Sequence, residues 1–257
     1  MALLVFQTNH TQVSGDRLEI TTFILAAIII FAGALTQSLI GFGLAVVASP
    51  LLYLVDPFLV PVPVILMGFS ISALTLMRER GNLEFNGLQY ALLGRIPGGI
   101  LGASLLLYAP QPVLGLVIAA IVMIAVTLTL YKFVAPINRL TLFIAGVLSG
   151  VFGNIAAIGG PPMAILLAGK DAGQFRAALS AFFIFSSMIA FIILIFAGLV
   201  EWRHIWLSFA LLPSVVLGYF VAGRLVGRVD KTKTRNATLL LCSISALVLT
   251  IKSLMSL

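Results

Sequence analysis

The sequence predicts an all-α polytopic membrane protein made of two inverted-topology repeats. Each repeat is a broken or re-entrant helical segment followed by three transmembrane helices, giving eight apolar segments and up to ten crossings. Three observations carry this prediction. The 257 residues are 61% hydrophobic and 9% charged, whereas a soluble domain has about 45–50% apolar and about 25% charged residues. So few charges cannot cover a surface facing water, and a chain this apolar is not disordered. The apolar runs are also continuous, as in FILAAIIIFAGAL. A membrane barrel would alternate apolar and polar residues instead. Finally, the order of runs and breaks occurs twice.

Residues 1–19 form a tail. Its start, MALLVFQTNH, has no basic region before an apolar stretch, so it does not resemble a signal peptide and the first apolar helix directs insertion. The first repeat spans 20–131. It opens with the apolar stretch 20–54, interrupted by Gly41-Phe42-Gly43 and by Pro50. As one helix that stretch would be about 52 Å long, far beyond the ~30 Å hydrocarbon core, so it folds back or crosses twice. Spans follow at 58–77, 87–108 and 111–131. A cytoplasmic linker, 132–139, carries Lys132, Pro136, Asn138 and Arg139. The second repeat, 140–257, opens with a stretch broken at Gly153-Asn154 and at Gly159-Gly160-Pro161-Pro162. Spans at 177–198, 205–226 and 236–255 complete it.

The halves match in order. Gly41 to Pro50 has the spacing of Gly153 to Pro162, and Asp56 and Asp171 each follow a broken segment. Leu83-Glu84-Phe85 corresponds to Val200-Glu201-Trp202. Pro97 and then Gly102 correspond to Pro213 and then Gly218. If each broken segment returns to its own side, Arg78, Arg80, Lys132, Arg139, Lys170, Arg176, Arg224, Arg228, Lys231, Lys233 and Arg235 share one side. Only Arg17, Arg203 and Lys252 face the other. The positive-inside rule makes the first side cytoplasmic and leaves both termini outside the cytoplasm. The net charge of +7 then comes from cytoplasmic loops and needs no nucleic-acid partner.

Matched helix breaks in inverted repeats are a transporter arrangement. Irregular backbone survives in a bilayer only inside protein or beside a water-filled cavity. Pro161 and Pro162 suit the first turn of a helix through MAILLA, where a missing N–H costs nothing. Gly159 and Gly160 expose backbone just before it. Such a helix start has unpaired N–H groups and a partial positive charge, which suits an anion. In the first repeat Gly41 and Gly43 precede LAVVA, with Ser49 and Pro50 near its end. Gln37, Ser38, Ser49 and Asn154 are the polar side chains at the breaks. They either bind a ligand or cap broken backbone and join helices. Arg95 lies about 12 Å into its span. It either faces an anion or snorkels to the interface. Asp56, Glu84, Asp171, Glu201 and His204 sit near span ends, with Tyr53, Trp202 and Trp206 as an aromatic belt.

Other classes are set aside. There is no G-x-x-x-x-G-K-[ST], no H-E-x-x-H and no Cys/His cluster, so no cofactor and no metal site is expected. Cys242 is the one cysteine; it excludes an intrachain disulfide and is expected to pack as a small residue. The face Gly98-Gly99-x-x-Gly102-Ala103 suits close packing, within the chain or in a homodimer.

Gly41-Phe42-Gly43 running to Pro50, the segment Gly150–Pro162 ending in Gly-Gly-Pro-Pro, and Phe175-Arg176-Ala177 resemble the sulfite exporter TauE/SafE family, also called the toluene-sulfonate uptake permease family. The likeness runs through nearly the whole chain. It implies transport of small sulfur-containing anions (sulfite, sulfonates, sulfoacetate or thiosulfate) across the cytoplasmic membrane, with the substrate at the two breaks. The expectation is a secondary transporter working by alternating access. Export is favoured, because an interior-negative potential drives an anion outward by about 2.3 kcal/mol per charge per 100 mV. The alternative is a channel or permease for another small solute, told apart by charge selectivity in a flux assay. An enzyme would need a nucleophile–base or metal constellation, which this sequence lacks.

Overall fold

The computed structural model describes residues 20–83, 87–130, 136–225 and 231–256, with backbone alone for 231–233. The tail 1–19, Glu84, Phe85, Lys132 with most of the linker, and Arg228 lie outside the described residues, as do the side chains of Lys231 and Lys233. Ten α-helices and two single turns of 3-10 helix occur among the described residues, with no strand. The first half contains α1 (Ile20–Ile40), α2 (Leu44–Val55), α3 (Val62–Glu79), α4 (Leu88–Tyr108) and α5 (Gln111–Leu130). The second contains α6 (Arg139–Ala156), α7 (Gly160–Leu167), α8 (Ala172–Phe196), α9 (Trp202–Leu225) and α10 (Lys231–Met255).

Eight of these helices are long and apolar enough to cross a membrane; α2 and α7 are not among them. At 1.5 Å per residue, α2 is about 18 Å and α7 about 12 Å long, short of the ~30 Å core. Each broken segment is therefore one full-length helix and one partial helix. The outer faces carry bare apolar side chains such as Ile24, Leu101, Phe220 and Leu247. In a multi-pass protein that surface is for lipid.

Contacts between helix ends define the two ends of the bundle. At one end the Tyr53 hydroxyl of α2 donates to the Gln111 carbonyl of α5 at 2.7 Å. There Lys252 of α10 donates to Leu54 O at 3.0 Å, and Phe58 stacks on His204 of α9 at 3.8 Å. At the opposite end Arg176 of α8 donates to the Glu79 carboxylate of α3 at 2.9 Å. The Arg78 guanidinium lies 5.2 Å above the Tyr219 ring of α9, and that of Arg139 lies 5.4 Å above Tyr90.

The closest helix packing uses glycine. A Cβ on Gly94 would lie 2.1 Å from Phe143 O, and one on Gly98 would lie 2.0 Å from Val147 O. From the other side, a Cβ on Gly146 would meet Ala91 O at 2.0 Å. Helices α4 and α6 thus touch backbone to backbone, as small residues permit in membranes. The Gly98–Ala103 face is filled inside the chain, by α6 at Gly98 and Gly102 and by Ile193 of α8 at Gly99.

Two expectations change. Gly153-Asn154 is not a break, because α6 continues through it to Ala156. The interruptions lie at 41–43 and 157–159 instead. Gly153 is needed for room: a Cβ there would stand 2.2 Å from the Arg95 guanidinium. Pro50 sits inside α2 rather than near its end. It offers no N–H to the carbonyl four residues back, and the buried Cys242 thiol of α10 reaches that carbonyl, Val46 O, at 3.6 Å.

Candidate functional site

The two interruptions come together in the interior. A cavity of about 40 Å³ is lined from the first half by Gln37, Phe42, Gly43, Ala45 and Val46, and from the second by Gly153 and Ala157 to Gly160. Helices α3, α4 and α8 complete it with Gly68, Arg95 and Ser186, among others. It has room for a small polar occupant, since a water needs about 10–15 Å³ on this measure.

The start of α2 is shaped by glycine. Gly41 (φ +104°) and Gly43 (φ +130°) hold backbone conformations that side-chain-bearing residues rarely adopt. No side chain caps α2 from the capping position itself. Gln37 does so from the last turn of α1, its Oε1 accepting from Leu44 N at 3.2 Å. Its Nε2 donates to Ser72 Oγ of α3 at 3.2 Å. The first-turn N–H groups of Ala45 and Val46 have no acceptor within their own helix, and both residues line the cavity. On the opposite wall α7 begins at Gly160, with Pro161 and Pro162 in its first turn. The prolines donate nothing, so the backbone donors of this wall belong to Gly159 and Gly160.

Arg95 supplies the charge. It is 2% exposed and reaches the cavity from α4. Its Nε donates to Ser186 O at 3.4 Å and Nη2 to Asn154 Oδ1 at 3.3 Å. Nη1 donates to Ser149 O. All three acceptors are neutral, and the cavity lining contains no carboxylate. The guanidinium is held by dipoles, its charge left unneutralised by any lining side chain, in a medium that screens weakly. Asn154 stays behind it: Oδ1 accepts from Arg95, while Nδ2 donates to Gly99 O at 3.1 Å. Ser149 Oγ donates to Gly159 O at 2.7 Å, tying the α6–α7 turn in place.

The sequence-selected residues separate accordingly. Gln37, Gly43, Arg95, Gly159 and Gly160 line the cavity. Asn154 is buried one layer behind. Ser38 faces the basic end, where Arg78 donates to its carbonyl at 3.2 Å. Ser49 donates from α2 to Ala156 O, satisfying the last turn of α6 across the two halves. Pro50 and Pro162 are buried outside the lining, and Gly41 packs against Phe175 and Arg176. Pro161 lines a second chamber. Sequence reasoning missed Ser72, Ser149, Ser186 and Phe42. The serines had a signal, being hydroxyls deep in apolar runs such as IFSSMIAF.

The class these features define is a multi-pass helical membrane protein with a small, positively charged interior cavity between two helix starts. The chain belongs to the sulfite exporter TauE/SafE family, whose family model matches residues 25–249. That family consists of membrane transporters for sulfite and related sulfur anions, not of enzymes. No curated protein and no solved structure matches the chain.

Proposed function

We propose that this chain exports a small sulfur oxyanion, sulfite or an organosulfonate, across the cytoplasmic membrane, binding it in the cavity between the two breaks. One observation carries the reading: the starts of α2 and α7, from opposite halves, open on one cavity with Arg95 and no lining carboxylate. The N–H groups of Ala45, Val46, Gly159 and Gly160 meet the sulfur-bound oxygens, and Arg95 balances the charge. Gln37 adds a side-chain amide. Asn154 acts through Arg95. Ser38, Gly41, Ser49, Pro50, Pro161 and Pro162 shape the wall.

The two halves, 20–131 and 140–257, act as inverted repeats that rock against each other around the fixed site. The helix-end contacts support this, because the α1–α2 pair enters from one end of the bundle and the α6–α7 pair from the other. The basic end, with Arg78, Arg139, Lys170, Arg176 and Arg235, lies in the cytoplasm. Both terminal helices then have their free ends outside.

The test is flux from proteoliposomes under an imposed potential. Saturable sulfite efflux, faster with a negative lumen and inhibited by a sulfonate but not by chloride, is the expected result. A folded protein that moves chloride as fast as sulfite overturns the substrate assignment.

A further inference from the structure

Phe42 separates two chambers. One is the central cavity of about 40 Å³; the other, of about 510 Å³, lies towards the basic end of the bundle. Phe42 is the one described residue common to both linings. The larger chamber is bounded by Thr129 at the end of α5, Pro161 and Ile165 of α7, Phe175 of α8, and the cations Lys170 and Arg235. Its lining holds no carboxylate among the described residues. The Arg235 Nε–H is buried and makes no hydrogen bond.

Gly41 and Gly43 flank the ring with positive φ values, backbone conformations open to glycine. Its ring contact is edge-on to Phe175, with centroids 6.4 Å apart. On the cavity side, the Cβ position of Gly160 is 3.6 Å from Phe42 Cβ. A rotation of the ring towards Phe175 or away from it changes the wall between the chambers without unwinding α1 or α2.

Resting on the anion-transport reading above, we propose that the larger chamber is the vestibule through which the anion passes between the cytoplasm and the central cavity, with Phe42 as its gate. Lys170 and Arg235 concentrate small oxyanions there. The chamber is large enough for a sulfonate with an organic group.

Thiol accessibility tests this without requiring transport. Gly68 lines the central cavity, and a Cβ added there meets no atom within 4 Å. Gly68→Cys in a Cys242→Ser background is treated with an anionic sulfonatoethyl methanethiosulfonate. The thiolate attacks the sulfenyl sulfur, and methanesulfinate leaves. A closed gate whose open form is 0.1–10% populated predicts labelling about ten- to thousandfold faster when Phe42→Ala is added. Phe42→Trp is expected to slow it, and serves where the alanine variant folds poorly. Lys170→Gln with Arg235→Gln is expected to slow the anionic reagent but not a cationic analogue of the same size. Labelling that is independent of residue 42, or equal for both reagents, overturns the proposal. Labelling that follows residue 42 in a protein that moves no sulfite leaves the gate standing and removes the transport assignment instead.

Discussion

In the proposed site Arg95 carries the charge and Asn154 holds it, and their variants separate charge from shape. The guanidinium fork is spread over Ser186 O, Ser149 O and Asn154 Oδ1. Arg95→Gln removes the cation and leaves buried carbonyls without their donors, at about 1–3 kcal/mol each. Asn154→Asp keeps the volume and the contact with Arg95, gives up the donor to Gly99 O, and places a carboxylate beside the guanidinium that cancels its charge. We expect Asn154→Asp to reduce sulfite flux by about tenfold or more, while Asn154→Ala loses less, because it gives up two neutral hydrogen bonds, each worth about 1 kcal/mol, and leaves the charge of Arg95 uncancelled. Flux normalised to folded protein checks this. Equal loss from both variants would show that Asn154 acts through geometry rather than through the charge of Arg95.

The same residues show how far sequence reading reaches at this scale. Arg95 stood out because a charge deep in an apolar run has few reasons to be there. Gly153 was misread because glycine breaks a helix and glycine makes room in the same letter. Only the position of the Arg95 guanidinium, 2.2 Å from where a Cβ would be, decides between them. Gln37 was legible as a polar residue beside a break. Its bond to Leu44 N fixes it as the cap of α2, a role that depends on the turn between them.

The elements were more legible than the residues. Eight apolar segments follow from run lengths against the hydrocarbon thickness, and the glycine and proline positions mark both interruptions to within a few residues. That each broken segment is one full-length and one partial helix was left open by the sequence, because its length allows a fold-back or two crossings. Which helices touch was not legible. Glycines at 94, 98 and 102 announce a close approach, but not whether the partner is α6 or another copy of the chain. Their contact makes a stability prediction. Gly98→Ala drives a methyl to 2.0 Å from Val147 O, and overpacking of this kind costs about 1–3 kcal/mol. Gly223→Ala in α9 places its methyl in open space and gains helix propensity of about 1 kcal/mol. Thermal unfolding in detergent should show a lower midpoint for Gly98→Ala and an unchanged or higher one for Gly223→Ala. The reverse order would mean that α4 and α6 are not in backbone contact.

Across the whole molecule, the asymmetry of charge is what supports the proposed orientation, and the proposed export direction depends on that orientation. Among the described residues, Arg78, Arg80, Arg139, Lys170, Arg176, Arg224 and Arg235 lie on elements meeting at one end, against Arg203 and Lys252 at the other. Basic residues near span ends are retained on the cytoplasmic side, and in the orientation proposed above the larger chamber opens inward. An anion leaving from it moves down the electrical gradient, by about 2.3 kcal/mol per charge for each 100 mV. Two exposed positions test the orientation in intact cells carrying Cys242→Ser. Ile137 lies just before α6 at the basic end, and Glu201 just before α9 at the opposite end. A membrane-impermeant thiol reagent added outside should label Glu201→Cys and spare Ile137→Cys until the cells are opened. Labelling of Ile137→Cys in intact cells would turn the bundle over. The chamber with Lys170 and Arg235 would then face outward, and the potential would oppose uptake through it, so inward transport of a sulfur anion would need a coupled ion.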